Sequence, residues 1–148
     1  MSIEHARDYL MQNRRLSDQI KRKKRRCEDL RARLDVTAIQ YDRIQVQTSR
    51  GDKVAKILST VSDLEDEILE LQLQKAELIN EVCDKIEELE SDGEKLVLLL
   101  HFIRRLPMDK AAAEADLSMQ HAYRLRNQGI AHLGAILGGP AEDQQKGG

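Results

Sequence analysis

Val54, Ile57, Val61, Leu64, Ile68, Leu71, Leu78, Val82 and Leu89 recur at alternating steps of three and four residues over five heptads, with Lys75 and Lys85 filling the two polar places in the series. Apolar side chains at this period stay together only on a helix that lays one stripe against another helix. A strand would need a period of two. The seam is predicted to occupy a helix over about 52–90, opened by Ser49 and Asp52 as N-cap and first-turn acid. It should close where Ser91, Gly93 and Glu94 write a capping box for the next helix.

A seam needs a partner. Leu16, Ile20, Cys27, Leu30 and Leu34, broken by Lys23, mark a thinner stripe on a first helix over about 3–34. Helices of these lengths would extend about 48 and 58 Å. Charge favours their pairing: residues 1–34 hold 11 Lys and Arg against 5 Asp and Glu, and residues 52–94 hold 4 against 14. Pairing within one chain and pairing between two chains satisfy this complementarity equally. Between the helices, residues 35–51 are expected to form an extended linker or partner-binding loop, with Ile44, Val46 and Thr48 in alternation. The run KRKKRR at 21–26 has two readings, a solvated face matched to the acidic helix or a contact for phosphate or polymerase; its six members go round the helix and cannot all face one partner.

Only 3% of residues are aromatic, there is no Trp, and the 148 residues are rich in charged side chains, which argues against a sheet. The expected class is all-α, a long helical hairpin or coiled coil over 1–90 followed by a helical module over 91–137. Cys27 and Cys83 lack metal-ligand neighbours, and His5, His101, His121 and His132 have no metal spacing. No Gly-rich phosphate loop is present, so neither an enzyme nor a cofactor is expected. The longest apolar run, around LVLLL, is far shorter than the ~20 residues of a membrane span, and the N-terminus has no apolar signal core, so a cytoplasmic protein without membrane contact is expected. The tail GGPAEDQQKGG, within 138–148, is expected to be disordered.

In the C-terminal module, EKLVLLLHFIRRL gives an apolar helix, Pro107 stands at the start of a short Ala-rich helix, and Ser118 caps a third helix. On that last helix Ala122, Leu125, Ile130 and Leu133 share one face, and Met119, Gln120, Tyr123, Arg124 and Asn127 share another. Ala111, Ala112 and Ala113 permit a close helix crossing. This order is that of a helix-turn-helix, whose last helix offers donors and acceptors to base edges in the major groove. Residues 95–137 carry 6 Lys and Arg against 3 Asp and Glu. With 3 or 4 phosphate contacts the salt slope would be about −3, so a dimer or polymerase would have to add affinity.

MDKAAAEADLSMQHAYRLRNQGIAHL resembles region 4 of bacterial sigma factors, with Leu117 and Ser118 at the turn and N-cap, and Ala122, Leu125, Ile130 and Leu133 on the packing face. Together with RDYLMQNRRLSDQIKRKKRRCEDLR, YDRIQVQTS and the acidic helix, residues 7–137 resemble phage and prophage transcriptional regulators of the ArpU/RinA-like kind. Met119, Gln120 and His121 stand where sigma factors carry charged side chains, and Asp109 and Lys110 replace the usual pair of acids. The resemblance implies a sequence-specific DNA-binding regulator in the bacterial host cytoplasm, with double-stranded DNA, RNA polymerase and a second copy of the chain as candidate partners. Met119, Gln120, His121, Tyr123, Arg124 and Asn127 are its candidate base-reading residues. Arg104, Arg105, Lys110 and Ser118 are the candidates for phosphate. A small terminase subunit for DNA packaging and a structural coiled-coil adaptor are the alternatives.

Overall fold

The computed structural model describes residues 3–44 and 48–147, with side chains for 3–36 and 51–138. The chain is all-α: α1 (Ile3–Ile44), α2 (Thr48–Glu87), α3 (Asp92–Leu98), α4 (Met108–Glu114) and α5 (Met119–Gly147). A π-helical turn, Leu99–Ile103, extends α3. No strand occurs among the described residues. Contacts divide the chain into two compact units, Leu16–Lys75 and Met1–Arg15 with Ala76–Gly148.

In the first unit α1 and α2 of one chain lie antiparallel. Ile20 and Cys27 are buried against Val61, Leu64 and Ile68, with Leu30, Ile57 and Leu71 half-buried beside them. The seam therefore closes within the chain, as the shortest route to burying two complementary stripes. Lys23 meets Glu67 at 2.9 Å and Arg31 meets Glu65 at 2.7 Å across the pair.

The expected linker is largely helix. α1 runs to Ile44 and α2 starts at Thr48, so only 45–47 separate them, and those three lie outside the described residues, as do the side chains of the Ile44, Val46, Thr48 run. Residues 35–44 hold no Gly or Pro, and extending an existing helix costs far less than nucleating one. Ser49 accordingly stands inside α2. At the other end α2 stops at Glu87, and Glu88 and Leu89 close it with tight bonds to the Lys85 and Ile86 carbonyls. The backbone of α5 is helical through the expected tail to Gly147, although side chains beyond 138 lie outside the description.

In the second unit Ala6 and Leu10 of α1 and Val82, Ile86 and Leu89 join Leu98, Phe102, Ile130 and Leu133 in one core. Ile86, fully buried, takes the place that the heptad series assigned to Lys85. Each such fully buried side chain contributes about 1.5–3 kcal/mol. Asn13 is buried in this otherwise apolar stripe, and its Nδ2 donates to the carbonyls of Phe102 and Ile103 at 3.1 and 3.3 Å. These are carbonyls of a helix end, which lack intrahelical partners. Asn13 thus ties the start of α1 to the close of the π turn.

Gly129 sits where α5 crosses α3. A Cβ there would lie 3.1 Å from Leu98 Cδ1 and 3.3 Å from Glu94 Cβ. Gly129→Ala sets this crowding against a helix-propensity gain of about 1 kcal/mol, whereas the branched side chain of Gly129→Val adds overpacking of about 1–3 kcal/mol. Urea unfolding is expected to show Ala near the parent and Val clearly below it; equal midpoints for Val and the parent would contradict the close crossing.

Tyr9 is half-buried near Glu81, and burial first, then that carboxylate, pushes its hydroxyl from 10.0 up to about 12. The folded chain keeps the proton where the unfolded chain has lost it, so this contribution is full below pH 10 and is lost as pH rises through 12. Absorbance at 295 nm should show a phenolate step near pH 12 that is missing from Tyr9→Phe. An unchanged titration in that variant would remove Tyr9 from this environment.

Candidate nucleic-acid interface

The module of α3, α4 and α5 is assembled from two sharp corners. At the first, Arg104 N–H bonds the Leu99 carbonyl at 2.9 Å, Leu106 N–H bonds the Leu100 carbonyl at 3.0 Å, and Arg105 adopts a left-handed φ of 60°. The His101 Nδ1–H donates to the Leu106 carbonyl at 2.9 Å and fastens the corner. Pro107 then stands at the N-cap of α4, as its fixed φ and missing N–H suit.

At the second corner Leu117 N–H bonds the Ala112 carbonyl at 2.8 Å and Asp116 N–H bonds the Ala113 carbonyl at 3.2 Å. Asp116 has φ 58° between them. This is a Schellman close, completed by Leu117 packing into the cluster of Val97, Met108, Ala112 and Ala122. Ser118 Oγ then accepts the His121 N–H at 3.1 Å and caps α5. The small Ala111 and Ala112 are buried where α4 approaches α5, while Ala113 is exposed.

These corners decide which face of α5 is free. Ala122, Ile130 and Leu133 are fully buried and Leu125 is half-buried. Met119, Gln120, Tyr123, Arg124 and Asn127 are exposed over the first turns of the same helix, and His121 is half-buried at the edge. Arg126, which the residue pattern did not single out, lies over the Tyr123 ring at 4.7 Å and donates to Asn127 Oδ1 at 3.2 and 3.3 Å. Its i, i+3 spacing from Tyr123 was the available signal. The Asn127 carbonyl oxygen is engaged by Arg126, leaving its NH2 to donate outward.

The phosphate candidates are less uniform. Lys110 is exposed on α4, and Arg105 is exposed at the first corner. Arg104 is paired with Glu114 at 3.0 Å, bracing the end of the π turn against the end of α4. The Ser118 oxygen accepts the cap bond of α5, and its hydroxyl hydrogen is the group that could donate to a phosphate.

Ser91 Oγ accepts the Glu94 N–H at 3.2 Å, the expected half of the capping box. The Glu94 carboxylate, 5% exposed, instead accepts a 2.7 Å hydrogen bond from His132 Nδ1 on α5. A residue read locally as a cap thus joins α3 to α5. No group of metal-ligating side chains occurs among the described residues, and no helix there is long and apolar enough to cross a membrane.

Asp116 occupies a position where glycine lacks the cost of a Cβ. Asp116→Gly should raise the unfolding free energy by about 0.5–1 kcal/mol, and Asp116→Val should lower it by at least about 1 kcal/mol. Thermal denaturation of the three proteins orders them; a Val variant as stable as the Gly variant would rule out the left-handed corner. Comparison with protein families, with curated proteins and with solved structures returns no match.

Proposed function

We propose that the chain is a sequence-specific DNA-binding regulator of phage or prophage transcription that inserts the start of α5 into the major groove. The observation that carries this reading is the two-faced start of α5: Ala122 is sealed while Met119, Gln120, Tyr123, Arg124 and Asn127 stand in solvent over the first turns after a capped N-terminus.

The residue types suit base edges. Arg124 can donate two hydrogen bonds to guanine O6 and N7, Gln120 can pair with the N6 and N7 edge of adenine, and Met119 or Tyr123 can lie against a thymine methyl. Lys110 of α4 and Arg105 of the preceding corner are exposed and are the proposed contacts for backbone phosphates. Arg126 over Tyr123 stiffens the reading face, which lowers the ordering cost of docking. A second copy of the chain and RNA polymerase are the further partners proposed for it, since a mildly basic module has little affinity of its own. Such a protein works in the cytoplasm of the bacterial host.

Electrophoretic mobility shift with fragments of the genome that encodes the chain tests this. A specific fragment should be retained at competitor levels that release random DNA, and Arg124→Ala should weaken that complex by about 1–3 kcal/mol, roughly 5- to 150-fold. Equal affinity of both proteins for specific and random DNA would defeat base reading by α5.

A further inference from the structure

Residues 21–26, Lys-Arg-Lys-Lys-Arg-Arg, lie on α1 within the hairpin unit. The ion pairs divide the run. Lys23 is half-buried and meets Glu67 at 2.9 Å. Lys21, Arg22, Lys24, Arg25 and Arg26 are exposed and make no ion pair among the described residues. Compensation by the acidic helix therefore accounts for one cation of the six.

Helical geometry sorts the other five. At about 100° per residue, Arg25, Arg22 and Arg26 stand about 40°, 100° and 140° round from Lys21. Ile20 and Cys27, both buried in the seam, stand about 100° and 120° round in the opposite sense. Four cations consequently share the face turned away from α2, while Lys24 belongs to its flank, beside Cys27 and Glu65 in a shallow groove. Asp18 and Asp29 lie one turn before and one turn after the run. The local balance remains positive.

The same face has no apolar component. From 18 to 29 the only apolar side chains are Ile20 and Cys27, and both are used in the seam. A protein interface needs an apolar, charge-depleted centre, and insertion into a membrane surface needs an apolar stripe. A nucleic-acid backbone needs neither: its duplex carries one negative charge per about 1.7 Å, and its interfaces are wet and strongly positive. Three arginines in the four add forked donors suited to phosphate oxygens.

We propose that Lys21, Arg22, Arg25 and Arg26 form a phosphate-binding face with which the hairpin holds the backbone of double-stranded DNA without reading its sequence. The proposal rests on the DNA-binding reading above and deepens it, by placing the missing affinity on α1 of the same chain.

Fluorescence anisotropy of the full chain with a labelled random-sequence 30-base-pair duplex, titrated across potassium chloride concentrations, tests it. Four neutralised phosphates should make log K fall with log salt more steeply by about 3 to 4 than in the variant carrying Lys21→Gln, Arg22→Gln, Arg25→Gln and Arg26→Gln. A variant carrying Lys21→Arg, Arg22→Lys, Arg25→Lys and Arg26→Lys should retain the parent slope, and circular dichroism should find all three equally helical. DNA binding by the parent with the same slope in the Gln variant would overturn the phosphate face and leave the α5 reading standing. No binding by any form at low salt would overturn both. Binding to phosphatidylserine vesicles at salt concentrations that abolish DNA binding would replace DNA with a membrane surface and overturn the assignment.

Discussion

The close approach of α3 and α5 is the contact from which the C-terminal module takes its geometry. Gly129 allows Leu98 to lie against the α5 backbone, and the Glu94–His132 hydrogen bond fixes the two helices one turn away. Once that crossing is set, Ile130 and Leu133 have only one direction in which to be buried. The exposed side chains from Met119 to Asn127 then follow from the pitch of the helix. A buried carboxylate is costly without a partner, so the Glu94 contact also disfavours any slip that would part the helices.

Two left-handed corners make the rest of the module compact. Arg105 and Asp116 accept backbone strain that glycine would avoid, and each corner returns bonds to helix-end carbonyls that would otherwise be orphaned. The π-helical turn at Leu99–Ile103 places Phe102 in the core and leaves carbonyls that Asn13 of α1 satisfies. A polar residue in a buried stripe is thus a bond to another helix rather than a defect in the pattern.

The hairpin unit is held chiefly by its apolar seam. Its cross-helix ion pairs, half-buried Lys23 with Glu67 and exposed Arg31 with Glu65, stand at the solvent edge of the seam, where water screens them and they contribute little. The opposite net charges of the two helices are therefore poorly explained by stability alone. Lys21, Arg22, Arg25 and Arg26 lie where they cannot strengthen the seam, which is why their chemistry points to a partner outside the fold.

The sequence by itself determined the all-α class, the seam from Ile57 to Val82, the Ser118 cap and the two-faced character of α5, because each depends on spacing along one helix or on one turn. It also located Pro107 and the Ser91 cap, which act through neighbouring residues. Tertiary structure alone decided that the seam closes within the chain, that Ile86 replaces Lys85 in the core, and that Glu94 reaches His132. It decided as well that Asn13 is a buried tie and Gly129 a point of helix contact. The linker was misread because 35–44 contain neither a strong stop nor a clear stripe, so local residues left the helix end undetermined. These features depend on which groups meet across long sequence separations, and local periodicity carries no information about that meeting.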